Sequence, residues 1–281
     1  MHVDNFLGNI FVSCDRGCNF RLSIERIYMQ DFVHLLVHTQ YSLLDGQASV
    51  SRLVDKAMKD GMKGIAVTDH GNMFGIKEFT NYVNKKNSGP KGEIKDLKKR
   101  IAGIESGEIE CEDKEAEIAD CRAKMAEAES KLFKPIVGCE MYVARRTMDK
   151  KEGKPDQSGY HLIVLAKNEK GYHNLIKLVS HAWTRGYYMR PRTDRSELEK
   201  YHEGLIVCSA CIGGEVPKKI INDQLEEAEE AVRWYKNLFG DDYYLELQRH
   251  KATVPRANHE AYPLQQKANA KLLELARKYD I

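Results

Sequence analysis

Short apolar runs and longer helical periods take turns along this chain. Phe32 to His38 is a β-rich run, and Val50, Leu53, Val54, Ala57 and Met58 then recur at i, i+3, i+4, i+7 and i+8, one apolar helix face closed by Gly61. Ile65 to Thr68 reads as a second buried strand that leads straight into Asp69-His70-Gly71, and Phe74 to Lys85 follows as its helix. Four further strands are predicted at Ile136 to Ala144, His161 to Ala166, Leu205 to Cys208 and Tyr243 to Leu247. Helical patterns follow three of them, at Gly171 to Trp183, Gln224 to Phe239 and Pro263 to Tyr279. Such alternation predicts an α/β fold with a mainly parallel sheet.

Two stretches depart from this rhythm. Residues 1–28 carry no convincing period, and Met29 stands just before Phe32-Val33-His34, so they read as a poorly ordered leader or an upstream start-site artefact. From Glu93 to Leu132 the chain is dominated by Lys, Glu, Ala and Ile: Ile94, Leu97, Ile101 and Ile104 keep helical spacing up to a Ser106-Gly107 turn, and a second helix runs through Ile118 to Met125. This predicts a helical hairpin inserted between the second and third strands, its charges forming a solvated face.

The 281 residues, 42% hydrophobic and 31% charged, are enough to bury a large core. Lys and Arg number 44 against 42 Asp and Glu, so a nucleic-acid surface would have to be local rather than a property of the whole charge. No apolar run approaches the ~20 residues that span a bilayer, and no signal pattern opens the chain; a cytoplasmic protein is expected. Seven cysteines without a paired framework fit reduced thiols and leave one or two free to ligate metal.

Ligand-type residues recur at strand ends. His38 and Asp45 follow the first strand, Asp69 and His70 the second; Glu140 lies in the third, His161 in the fourth, Cys211 after the fifth and His250 after the sixth. Imidazole and thiolate suit zinc, and carboxylates suit manganese or magnesium, so the spread over every strand points to a shared divalent-metal site. Arg185, Arg190, Arg192 and Arg195, with Tyr187 and Tyr188 between them, form a local basic and aromatic patch. It has two readings: contact with a nucleic-acid backbone, or a loop packed on neighbouring protein with Asp194 or Ser196 capping the next helix.

The segments His34-Leu35-Leu36-Val37-His38-Thr39-Gln40-Tyr41-Ser42-Leu43-Leu44-Asp45-Gly46, Val67-Thr68-Asp69-His70-Gly71-Asn72 and Lys134-Pro135-Ile136-Val137-Gly138-Cys139-Glu140 resemble, in order, the motifs of a known family. Tyr160 to Lys167, Gly171 to Leu175, Arg190-Pro191-Arg192 and Cys208 to Gly213 continue it. The family is the amino-terminal PHP (polymerase and histidinol phosphatase) domain of bacterial DNA polymerase III alpha subunits, and the likeness runs from Met29 to Ile281 apart from the helical insert. It implies a distorted barrel of about seven β/α units holding up to three zinc, manganese or magnesium ions. The ligands it implies are His38, Asp45, His70, Glu140, His161 and Cys211, with Asp69 as a supporting or bridging group and His250 as a weaker member.

The resemblance further implies a part in DNA replication: DNA-directed DNA polymerase (nucleotidyltransferase) activity in a longer protein, with DNA, deoxynucleotides and other replisome subunits as partners. Within the basic and aromatic patch, Arg190 and Arg192 are the candidate nucleic-acid contacts. Metal-dependent phosphoester hydrolysis, in some relatives a 3′-5′ exonuclease, is the chemistry implied for the domain itself, and a stand-alone PHP phosphoesterase is the alternative. Two departures lead to the expectation of a degenerate site with partial metal occupancy, weak or absent hydrolysis and a stabilising scaffold role. The family's first motif is His-x-His, but Leu36 stands two residues before His38, and His34 lies roughly 13 Å from His38 by strand rise. The final Asp-x-His strand of the family is expected beyond Ile281.

Overall fold

The computed structural model describes residues 32–43, 45–251 and 261–281; the expected leader, residues 1–28, lies outside them. The first apolar run, expected as a strand, is instead an irregular segment docked beside β1 (Gly64–Val67): Ala66 and Thr68 donate their N–H groups to the carbonyls of His34 and Val37, both at 2.9 Å. Helix α1 (Val50–Lys59) separates the two and buries Val50, Val54 and Ala57. After β1 come α2 (Ile76–Lys86), which starts two residues later than its pattern suggests, and the hairpin of α3 (Ser88–Ser106) and α4 (Lys114–Ser130). Gly107, at φ +83°, ends α3 in the left-handed conformation that glycine tolerates, and Asp113 caps α4 by accepting from Ala116 N at 3.0 Å.

Strand β2 (Lys134–Ala144) pairs parallel with β1 and antiparallel with β3 (Gly159–Ala166); β3 pairs antiparallel with β5 (Leu205–Cys208), and β5 parallel with β6 (Tyr243–Tyr244). A two-residue strand β4 (Arg192–Thr193), absent from the sequence reading, adds to β2 in parallel. The architecture is α/β, but the sheet is mixed where a mainly parallel one was expected. The cause lies in residues 145–158, a polar loop with one short 3₁₀ turn at Lys154–Asp156: without a crossover helix, β3 returns alongside β2 in the opposite sense. Helices α5 (Glu169–Thr184), α6 (Arg195–Tyr201), α7 (Glu215–Ile221), α8 (Leu225–Phe239) and α9 (Ala261–Tyr279) complete the described residues.

Strand alternation divides the interior into two layers. Cys139, Met141 and Val143 of β2 and Leu162 and Val164 of β3 face the helices, packing with Leu175, Leu178, Val232 and Leu272. The opposite faces contribute Ile163, Leu165, Ile206 and Cys208 to a smaller cluster with Ala66 and, partly buried, Leu35 and Leu36. Glu140, Tyr142 and His161 lie on this second face, towards one end, so the apolar cluster forms the floor beneath them.

Candidate metal centre

Five adjoining segments deliver the polar group. His38 follows the irregular first segment, which Thr68 fixes from both sides: its Oγ1 accepts from Val37 N at 2.8 Å and its N–H donates to Val37 O at 2.9 Å. His70 follows β1 and forms a parallel bridge with Glu140, reinforced by Gly71 N donating to Glu140 O at 2.8 Å. The β2–β3 register sets Tyr142 opposite His161, which brings His161 towards Glu140. Cys211 arrives on the loop after β5, where Ala210 holds φ +61°. Gly213 lets that loop close on His161, since a Cβ there would come within 3.0 Å of the imidazole Nδ1.

Glu140 joins the group into one. Its Oε2 lies 2.6 Å from His38 Nε2 and its Oε1 3.0 Å from His161 Nδ1, and Cys211 Sγ stands 3.3 Å from that same nitrogen. Two sets of ligand-type atoms, His38 with His70 and Glu140, and Glu140 with His161 and Cys211, each fall within 4.8 Å of one another. Asp45 reaches the edge of the first set, its Oδ2 3.3 Å from His70 Nδ1, with half of its side chain in solvent.

The electrostatics follow from burial opposed by pairing. Burial pushes the Glu140 carboxyl up, but the hydrogen-bonded His161 and His38 and the nearby His70 outweigh it and hold the group well below the usual carboxylate range. Burial lowers His161, yet Cys211 and Glu140 raise it to about 9. His38 is raised in the same manner by Glu140 against its burial, whereas His70 is lowered, by burial first and then by the neighbouring imidazoles. Tyr142, stacked on His70 at 4.4 Å, is pushed up to about 12 by burial.

One atom in this group lacks a partner: His70 Nε2 is buried and makes no hydrogen bond. A buried imidazole nitrogen left free, beside a carboxylate shared by two other imidazoles and within reach of a thiol, is a donor set that fits a divalent cation. His38, Asp45, His70, Glu140, His161 and Cys211 are therefore brought to one place. Asp69 is adjacent but spent elsewhere: its carboxylate accepts from Thr39 N at 2.6 Å, Thr39 Oγ1 at 2.9 Å and Ser42 Oγ at 2.9 Å, which ties down the loop carrying His38 and Asp45. Ser42 Oγ in turn accepts from His70 N at 2.9 Å.

Other expected residues lie apart. His250 pairs with Gln265, whose Oε1 accepts its backbone N–H at 2.8 Å, and joins neither set. Leu36 belongs to the apolar floor, and His34 is exposed against the Phe32 ring at 4.8 Å. Arg192, expected as a nucleic-acid contact, is fully buried; its guanidinium donates to the carbonyls of Gly186, Met148 and Lys150 at 2.9 to 3.0 Å, tying the two loops together. Arg190 remains exposed, and Asp194 caps α6 by accepting from Glu197 N at 3.1 Å. The sequence reading missed Tyr142, although its place two residues beyond Glu140 puts it on the same strand face. It also missed Trp183, whose Nε1 donates to Gly71 O at 2.8 Å over the site's entrance.

DNA polymerase III subunit alpha of Borreliella burgdorferi is 43% identical over 220 residues, 78% of this chain and 15% of that protein. The subunit alpha of Aquifex aeolicus is 36% identical over 258 residues (90% of this chain, 18% of that one), and that of Thermus aquaticus 35% over 255 (89% and 16%). The chain thus spans less than a fifth of the length of these relatives. No helix among the described residues is long and apolar enough to cross a membrane. The family model described as PHP domain matches residues 34–250, a range that holds the whole Glu140-centred group, and the chain belongs to the PHP domain family.

Proposed function

We propose that this chain is the amino-terminal PHP module of a cytoplasmic replicative DNA polymerase alpha subunit, where it serves as a scaffold and carries a divalent-metal phosphoesterase site. The observation that carries the reading is the joint one: identity to polymerase alpha subunits across most of the chain, and a buried carboxylate shared by two sets of ligand-type side chains. DNA-directed DNA polymerase activity, deoxynucleotide substrates and replisome partners belong to the longer protein. The substrate of the PHP site is a phosphodiester end, which makes a 3′-5′ exonuclease the activity sought.

His38, His70, Glu140, His161 and Cys211 would hold the ions, with Asp45 at the open side. A zinc, manganese or magnesium ion there would supply Lewis-acid polarisation of a phosphoryl oxygen and acidify a water. The protein's own part is to position. Glu140 orients the His38 and His161 rings, Asp69 holds the loop that carries His38, and the apolar cluster of Ile163, Leu165 and Leu36 keeps water from the floor. Leu36 adds no ligand atom on the His38 side, so metal loading there is weaker than on the His161 side.

The test is metal analysis of wild type and Glu140→Ala, together with release of nucleotides from the 3′ end of a labelled single strand in manganese. Metal lost from the variant and hydrolysis of the oligonucleotide support the proposal. Equal metal content in both proteins would overturn it. Hydrolysis of histidinol phosphate in preference to the oligonucleotide would favour the stand-alone phosphoesterase.

A further inference from the structure

Beside the ligand group opens a cleft of about 360 Å³, within the size range of small-molecule sites. His70, Asp45 and Tyr142 line it on the side of the ligand group, and Phe74, Trp183 and Tyr187 give it aromatic walls. The rings of Trp183 and Tyr187 lie nearly parallel, with centroids 5.6 Å apart and planes at 20°, and Phe74 meets Trp183 at 5.8 Å. These three side chains are 61% (Phe74), 40% (Trp183) and 49% (Tyr187) exposed, a concentration of aromatic surface that soluble proteins keep for contacts. The indole N–H is already committed to Gly71 O, so Trp183 offers its face rather than a hydrogen bond.

The cleft is held in shape. Gly71, at φ +71°, lies so close to Pro191 and Tyr142 that a Cβ would come within 2.8 Å of Pro191 Cγ. Met189 holds φ +64°, a left-handed conformation unusual for a side-chain-bearing residue, and with it the 187–191 loop turns Tyr187 and Arg190 to the rim. A flat π-system with a negative charge attached is the ligand these groups suit: rings stack on aromatic faces, and the exposed Arg190 guanidinium matches a phosphate oxygen. A bare sugar phosphate would leave the aromatic walls unused.

We propose that this cleft holds an unpaired nucleobase of single-stranded nucleic acid against Trp183 and Tyr187, with the adjoining phosphate turned towards His70 and Asp45 and with Arg190 at the rim. The inference rests on the reading of the ligand group as a phosphodiester site and names the part of the substrate recognised beside it. Because stacking is indifferent to which base is present, the site tolerates any sequence.

The test uses the full chain in EDTA, where hydrolysis cannot run, and fluorescence anisotropy of two end-labelled hexamers: (dT)6 and an abasic hexamer of the same charge. Wild type is expected to bind (dT)6 more tightly, by about five- to 150-fold for one stacked base. Tyr187→Ala and Trp183→Ala should bring (dT)6 down to the abasic level; Tyr187→Ala serves if loss of the Trp183 hydrogen bond unfolds its variant. Equal affinity of wild type for both hexamers, or unchanged (dT)6 binding in a folded Tyr187→Ala protein, overturns the proposal. Metal content of wild type is read in parallel without EDTA. Base preference without bound metal would leave the cleft assigned and remove the phosphodiester reading, and bound metal without base preference would do the reverse.

Discussion

The Glu140-centred group and the α3–α4 hairpin are both crowded with ionisable side chains, yet they put them to opposite uses. In the hairpin, Arg100 meets Glu117 at 2.8 Å and Lys124 meets Asp120 at 2.6 Å, each pair largely in water. Such pairs gain little, because solvent screens the attraction and ordering two long side chains costs entropy. Around Glu140 the same kinds of charge are withdrawn from water and each depends on its neighbour. Proximity of opposite charges is common to both regions; burial is what turns it into chemistry.

The comparison can be broken or sharpened by substitution. The largest effect is expected for Glu140→Ala in metal-free protein: removing the carboxylate takes the acceptor from His38 and leaves His161 only the Cys211 sulfur, a loss of about 3 kcal/mol, the lower end for a broken buried pair because both rings reach solvent. Urea unfolding in EDTA measures it, and a loss below about 1 kcal/mol would place this group with the hairpin pairs. Asp69→Ala follows, at about 2 kcal/mol, since Thr39 N, Thr39 Oγ1 and Ser42 Oγ all lose a buried acceptor. Metal binding in this variant should weaken as well, because the loop that carries His38 is released; titration calorimetry would show it.

Asp194 provides a buried carboxylate outside the ligand group. Burial would raise it, but the N–H groups of Met148 and Glu197 and the hydroxyl of Ser196 outweigh this and lower its pKa. The stability it contributes is therefore complete above the unfolded value of about 3.9 and is lost as pH falls through the lower folded value. Asp194→Asn should lower stability at pH 7, where the contribution of the ionised carboxylate is complete and an amide cannot accept from both Met148 N and Glu197 N, and should make the acid limb of the stability profile shallower below about pH 4. The smallest effect belongs to the hairpin: Arg100→Ala should leave both the unfolding midpoint and the metal content of the protein unchanged.

Much of this arrangement was legible before the fold. The helical period of Ile94, Leu97, Ile101 and Ile104 gave the first arm of the hairpin, although the helix starts at Ser88 rather than near Glu93. His38, His70, Glu140, His161 and Cys211 were visible as ligand-type residues at strand tips because each sits where an apolar run stops or admits a polar side chain. Strand direction was not legible, since an alternating pattern is the same for either sense; the signal lay in the helix-free stretch 145–158. Arg192 was misread because a guanidinium in a polar loop resembles a surface group, and only the fold supplies the three carbonyls that let it be buried. His250 was drawn in by its position after a strand, but Gln265, fifteen residues on, claims it.

Glu140 divides its two oxygens, one towards His38 and the other towards His161. On the proposed reading, a cation entering either half would have to compete with an imidazole for that carboxylate, and both halves would draw on the same side chain. Loading of the two halves would then be thermodynamically linked, and a titration with a single metal should deviate from the curve of two independent sites.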